Sequence, residues 1–165
     1  MKKLTALLFA LTLVLSLAAC GGKNDAPPAS KDADLSAFYE TLVSEGEWPS
    51  MSLLEGEMLD NFYPGLSDVA AKQSAVYMAD ITSVACEIAL VEVENADDVK
   101  TVEDIFQARI DYQVGDGNSP GGAFYPATTE AWENNSRIVS NGNYVMLAVC
   151  DDADGAVEKF NALFA

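Results

Sequence analysis

The chain contains no histidine, only nine lysines and arginines, and only three cysteines among its 165 residues. Each shortage excludes something. Without imidazole there is no Ser-His-Asp triad, no Cys-His pair and no histidine ligand for zinc. Nine cations against 26 Asp and Glu leave a formal charge of −17. A chain so acidic, with no basic stripe, lacks the electrostatic footprint of a nucleic-acid binder. No Cys-x-x-Cys occurs, so a thioredoxin-type role is not indicated. What is plentiful is apolar: half of the residues are hydrophobic, enough for a packed core.

The longest uncharged apolar run is Leu4 to Ala19, behind Lys2 and Lys3. It is shorter than the ~20 residues a membrane-spanning helix needs and fits a secretory signal peptide. It ends in Leu17-Ala18-Ala19-Cys20-Gly21, which resembles the bacterial lipobox. That resemblance implies diacylglyceryl transfer to the Cys20 thiol and cleavage just before it, with residues 1–19 as the signal. Their removal takes away two lysines and no acid, leaving seven bases against 26 acids and a charge of −19. Such a body is repelled by anionic headgroups, so the expected attachment to the membrane rests on the lipid. Cys20 is followed by GGKNDAPPASKD, Gly21 to Asp32. This stretch has no apolar period and reads as a tether reaching at most ~40 Å, at ~3.3 Å per residue.

Residues 33–165 are the length of one domain. Leu35, Phe38, Tyr39, Leu42 and Val43 recur at helical spacing behind Asp34, a suitable cap. Met58, Leu59, Phe62 and Tyr63 suggest a second short helix, stopped by Pro64-Gly65. Ala75 to Ile81 and Glu87 to Glu94 read as strands joined in a hairpin. Val99, Val102, Phe106 and Ile110 line one face of a helix beginning near Asp97. A glycine-rich connector, Gly115 to Gly122, precedes a short helix carrying Trp132. Arg137 to Ser140 and Asn143 to Cys150 read as strands joined through Asn141-Gly142. Val157, Phe160, Leu163 and Phe164 form a last helical stripe behind an acidic cap. Hairpin plus helix thus occurs twice. The expected fold is α+β: a four-stranded antiparallel sheet from two hairpin-plus-helix units, with the helices on one face and N-terminal helices added.

The lipobox, the tether and the stretch AFYPATTEAWENNSRIVSNGNYVMLAVCDDAD together resemble the DUF4358 lipoproteins of Firmicutes. The likeness rests on Tyr125-Pro126, Arg137-Ile138-Val139 and Gly142-Asn143-Tyr144-Val145, with Tyr77-Met78 and Glu87-Ile88-Ala89 in the first hairpin. It covers about Leu35 to Ala165. It implies an extracytoplasmic location and an α+β domain, and carries over no catalytic residue.

Few residues stand out as candidate sites. Cys86 opens the second strand and Cys150 closes the fourth. If those strands are antiparallel neighbours, the thiols meet, and an exported protein permits a disulfide. The alternative is two separate buried thiols acting as small hydrophobes. Asp151-Asp152-Ala153-Asp154-Gly155 tempts a calcium reading. An EF-hand with Gly155 at its sixth position would need ligands where Cys150 and Asn161 stand, so helix capping is preferred and no metal is expected. The glycines of residues 115–122 match neither G-x-G-x-x-G nor a Walker loop, and no cofactor is expected. Phe124, Tyr125 and Trp132 flank that loop and could grip a peptide or sugar, or plug the core edge.

The function expected is therefore a lipid-anchored, non-enzymatic binding or accessory module at the outer face of the membrane. Its partner would be a protein, peptide or glycan at the cell surface. The alternative is a small hydrolase using two carboxylates, although 26 acids make any one pair uninformative.

Overall fold

The computed structural model describes residues 32–119 and 121–165. The expected signal peptide, Cys20 and nearly all of the expected tether lie outside the described residues. Among the described residues five α-helices and five strands follow in the order α1 Leu35–Ser44, β1 Met51–Leu53, α2 Glu57–Phe62, β2 Ala71–Ala79, β3 Glu87–Val93, α3 Val99–Val114, α4 Pro126–Asn134, β4 Ser136–Asn141, β5 Tyr144–Val149 and α5 Ala153–Ala162. The strands form one antiparallel sheet in the order β1-β2-β3-β5-β4.

The sheet has five strands where four are expected from the sequence. β1 is three residues long, too short to show a period, and covers only Tyr77 to Ala79 at the edge of β2. The helices also lie on both faces, not on one. β3 and β5 are buried at every residue. A strand buried on both sides must be covered on both sides. Ile88 and Leu90 with Met146 and Ala148 face α1 and α5, where Leu35, Phe38, Leu42 and Phe160 close one core. Ala89, Val91 and Val93 with Val145 and Leu147 face α2, α3 and α4, where Tyr63, Val102, Phe106 and Trp132 close the other. The two hairpin-plus-helix units are therefore not symmetry mates. A two-fold axis between β3 and β5 would keep α3 and α5 on the same face, whereas they lie on opposite ones.

Local chemistry explains the boundaries. Asp34 Oδ1 accepts from the Ala37 N–H at 3.0 Å, and Asp152 Oδ1 accepts from the Gly155 N–H at 3.1 Å, capping α1 and α5. Asn141 pairs with Tyr144, so the central residues of the second hairpin are Gly142 and Asn143, one position later than the Asn-Gly reading. Gly142 has φ of 57° and no non-glycine among the described residues, Asn143 included, has positive φ, which is the II′ pattern. The glycine-rich connector is tied back on α3: the N–H groups of Gly122 and Ala123 donate to the carbonyls of Tyr112 and Gln113 at 2.8 and 3.1 Å. A Cβ at Gly121 would lie 2.1 Å from the Gln113 oxygen, so only glycine fits there.

The N-terminal end of the domain is fastened by a polar clamp. Ala33 N–H donates to the Tyr144 hydroxyl at 3.1 Å, and Leu35 N–H to Gln73 Oε1 at 2.9 Å. Gln73 Nε2 donates both to the Ala33 carbonyl and to the buried Glu92 carboxylate, which also accepts from Lys72. Burial pushes Glu92 up, but the bonds from Gln73 and Lys72 outweigh it and hold the carboxyl below its ordinary value. A depressed carboxyl stabilises the fold above its unfolded pKa, and that stability is lost as pH falls through the folded value. Glu92→Gln should therefore lower stability by about 1–2 kcal/mol at pH 7. Its thermal midpoint should converge with wild type as the pH is taken below ordinary glutamate titration.

Candidate functional site

The clamp marks one end of the sheet, where β5 begins at Tyr144 and α1 begins at Leu35. The opposite end is formed by the Glu87–Val149 pair, the last turn of α3 and the chain after α1. Three features gather there.

The first is an ion pair sealed inside the domain. Arg109 lies on the inward stripe of α3, three residues beyond Phe106, and Glu87 on the inward face of β3, two residues before Ala89. Each is 3% exposed. Arg109 Nε donates to Glu87 Oε2 at 3.1 Å, and Nη2 donates to Oε1. The Tyr63 hydroxyl donates to Oε2 at 2.6 Å. Three rings surround the guanidinium: Phe62 at 4.9 Å, Trp132 at 5.2 Å and Tyr63 at 5.6 Å from their centroids. Burial alone would lower the Arg109 pKa, but its bonds and charge attraction to Glu87 raise it. Burial and then the Glu87 charge push the Tyr63 phenol well above its usual value. Both shifts hold Arg109 charged and Tyr63 protonated at neutral pH. Both Glu87 oxygens already accept hydrogen bonds, so the carboxylate is committed to the fold, not poised to move a proton. Arg109 Nη1 alone among the described buried side-chain atoms has no hydrogen-bond partner. The aromatic faces around it compensate in part.

Beside this cluster lies a cavity of about 190 Å³, lined by Met78, Val84, Cys86, Glu87, Arg109 and Trp132 among others. The second feature, a recess of about 380 Å³, lies on the other face of the sheet, with Trp48, Cys86, Cys150, Asp151 and Lys159 in its walls. Cys86 belongs to both. The two cysteines are buried and unbridged. Burial pushes their thiols up, to about 12 for Cys86 and about 11 for Cys150, so neither is an activated nucleophile.

The third feature is a set of exposed apolar side chains. Among the described residues seven large hydrophobic side chains are exposed, and five of them belong to this end: Ile81 and Val84 in the β2–β3 loop, Tyr112 at the end of α3, and Phe124 and Tyr125 before α4. Phe124 is 87% exposed and meets Tyr125 edge to face, centroids 5.4 Å apart. The structure separates the third aromatic residue of the sequence reading from these two: Trp132 is buried over Arg109 and reaches only the inner cavity. The acids of residues 151–154 have structural work, Asp152 as a cap and Asp154 in a pair with Arg137 at 2.7 Å. No group of three or more metal-ligating side chains is placed to hold an ion among the described residues.

Sequence reasoning missed Arg109, Glu87 and Tyr63. A signal was present: one arginine continues an otherwise apolar helical stripe, and one glutamate opens an otherwise apolar strand face.

Fold and site together define an α+β domain whose far end combines a sealed ion pair, two recesses and exposed aromatic side chains. Residues 44–150 match the family described as Domain of unknown function (DUF4358); the chain belongs to this family. The matched region holds all five strands with α2, α3 and α4, and stops short of α5. No curated protein and no solved structure matches the chain.

Proposed function

We propose that this is a non-enzymatic binding module, held at the outer face of the membrane by lipid on Cys20, and that it works through the end of the sheet farthest from its tether. The observation that carries this reading is the segregation of exposed apolar side chains. Scattered single residues need no explanation, but a cluster of them does. Residues 33–35 are clamped at the opposite end, so a tether leaving there directs Phe124, Tyr125 and Tyr112 away from the bilayer and toward other molecules of the cell surface. The charge of −17 favours a partner with basic or neutral contacts. The hydrolase alternative finds less support, because the most buried carboxylate at this end is held on both oxygens by Arg109 and Tyr63.

Phe124→Ser/Tyr125→Ser tests the reading. Both side chains are exposed, so stability should change by less than about 0.5 kcal/mol. After cross-linking on intact cells, neighbours captured by the wild-type protein should fall about tenfold with the variant, consistent with loss of aromatic anchors. Unchanged capture at unchanged stability rejects this surface as the binding end.

A further inference from the structure

We infer that Cys86 and Cys150 form a cross-strand disulfide that latches the far end of the sheet after export. The pairing of β3 with β5 runs from Glu92–Tyr144 to Glu87–Val149 in unbroken register, so the next residues along, Cys86 and Cys150, stand opposite each other. The Val93 N–H donates to the Asn143 carbonyl. Counting from that bonded pair in steps of two makes Glu87–Val149 a bonded pair and Cys86–Cys150 a non-bonded one. In non-bonded antiparallel pairs the Cα atoms are about 4.5 Å apart and the side chains are closest, within the roughly 4.4–6.8 Å that a disulfide spans. Both side chains lie in the same core layer, with Ile88, Leu90, Met146 and Ala148. Both line the recess of about 380 Å³, which gives an incoming reagent a route to them.

The step is a thiol–disulfide exchange. One cysteine, as thiolate, attacks a sulfur of an incoming disulfide and forms a mixed disulfide, releasing one thiol of the reagent. The second cysteine, also as thiolate, displaces the other. One Cys86–Cys150 bond forms, two protons are released from the cysteines and two are taken up by the departing thiolates, and the reagent gains two electrons. The oxidant class is a protein disulfide oxidant outside the cytoplasm; oxidised glutathione serves in the test tube. Because burial holds both thiols in the protonated form, bridging should be slow at neutral pH and quicken about tenfold per pH unit until the thiols titrate. Cys86 borders both recesses, so closing the bridge fixes the wall between them. This inference does not depend on the binding reading: either can fail alone.

The test is to equilibrate the mature lipidated protein in detergent with glutathione buffers from fully reduced to fully oxidised, then alkylate, digest with trypsin and map the cysteines. The expected result is peptide 73–100 linked to peptide 138–159, a bridge within one chain, with a thermal midpoint on the order of 10 °C above the reduced form. Cys86→Ser should abolish both the linkage and the redox dependence of the midpoint. Two alkylated cysteines across the whole series, or linkage only between separate chains, overturns the inference.

Discussion

Arg109→Ala should destabilise the domain by about 3–5 kcal/mol, a large part of the ~5–15 kcal/mol that holds a typical domain together. The reason is what it leaves behind. Glu87 is 3% exposed, and without the guanidinium its charge has only the Tyr63 hydroxyl for company. Three aromatic rings also lose the cation over their faces, each contact adding up to ~1–2 kcal/mol when desolvated. Removing the whole polar cluster should cost much less. A triple variant, Tyr63→Phe/Glu87→Leu/Arg109→Met, replaces charge by apolar volume and should recover most of the loss. Urea unfolding of both proteins checks this. A loss below about 1 kcal/mol for Arg109→Ala would mean that water reaches the pair and that it is not sealed.

Cys20→Ala should move the protein almost entirely from the membrane fraction to the medium and abolish incorporation of labelled palmitate. Two or three acyl chains, at ~0.8 kcal/mol per buried CH₂, hold a protein stably on a bilayer. Among the described residues nothing would replace them, and the run Leu4 to Ala19, if left uncleaved in the variant, is shorter than a membrane-spanning helix needs. No helix among the described residues is long and apolar enough to cross a membrane. The chain, at −17 and at −19 if residues 1–19 are removed, is repelled by anionic lipid. Equal labelling and equal membrane retention of both proteins would remove the anchor from the account, and with it the orientation argued from the clamp at Ala33.

Much of the fold was legible because the elements are chemically punctuated. Asp34 and Asp152 cap the helices that follow them, and Pro64-Gly65 ends α2. The stripe of Val99, Val102 and Phe106 could only be one face of a helix. What escaped has physical reasons. β1 gains its place from pairing with β2, not from any pattern of its own. β2 begins at Ala71, earlier than expected, because Lys72 and Gln73 serve the Glu92 clamp and disguise a strand as a loop. The layering on both faces was written in the continuous apolar stretches Ile88–Val91 of β3 and Tyr144–Val149 of β5, whose full burial separates them from half-exposed hairpin strands. The site was less readable. A lone Arg109 and a lone Glu87, 22 positions apart, become a pair only once α3 is laid across β3. Trp132 is buried because it lies on the inward face of α4, whereas Phe124 and Tyr125 precede the helix and stay exposed.

The central claim is that the lipidated domain binds through its far end. The most direct measurement places a photo-reactive phenylalanine analogue in the intact cell at position 124, and in parallel at position 58, where Met58 is also exposed but outside the cluster. The account predicts discrete, reproducible adducts from position 124 that Tyr125→Ser weakens, and none of those adducts from position 58. The same adducts from both positions, or none from either, would contradict it.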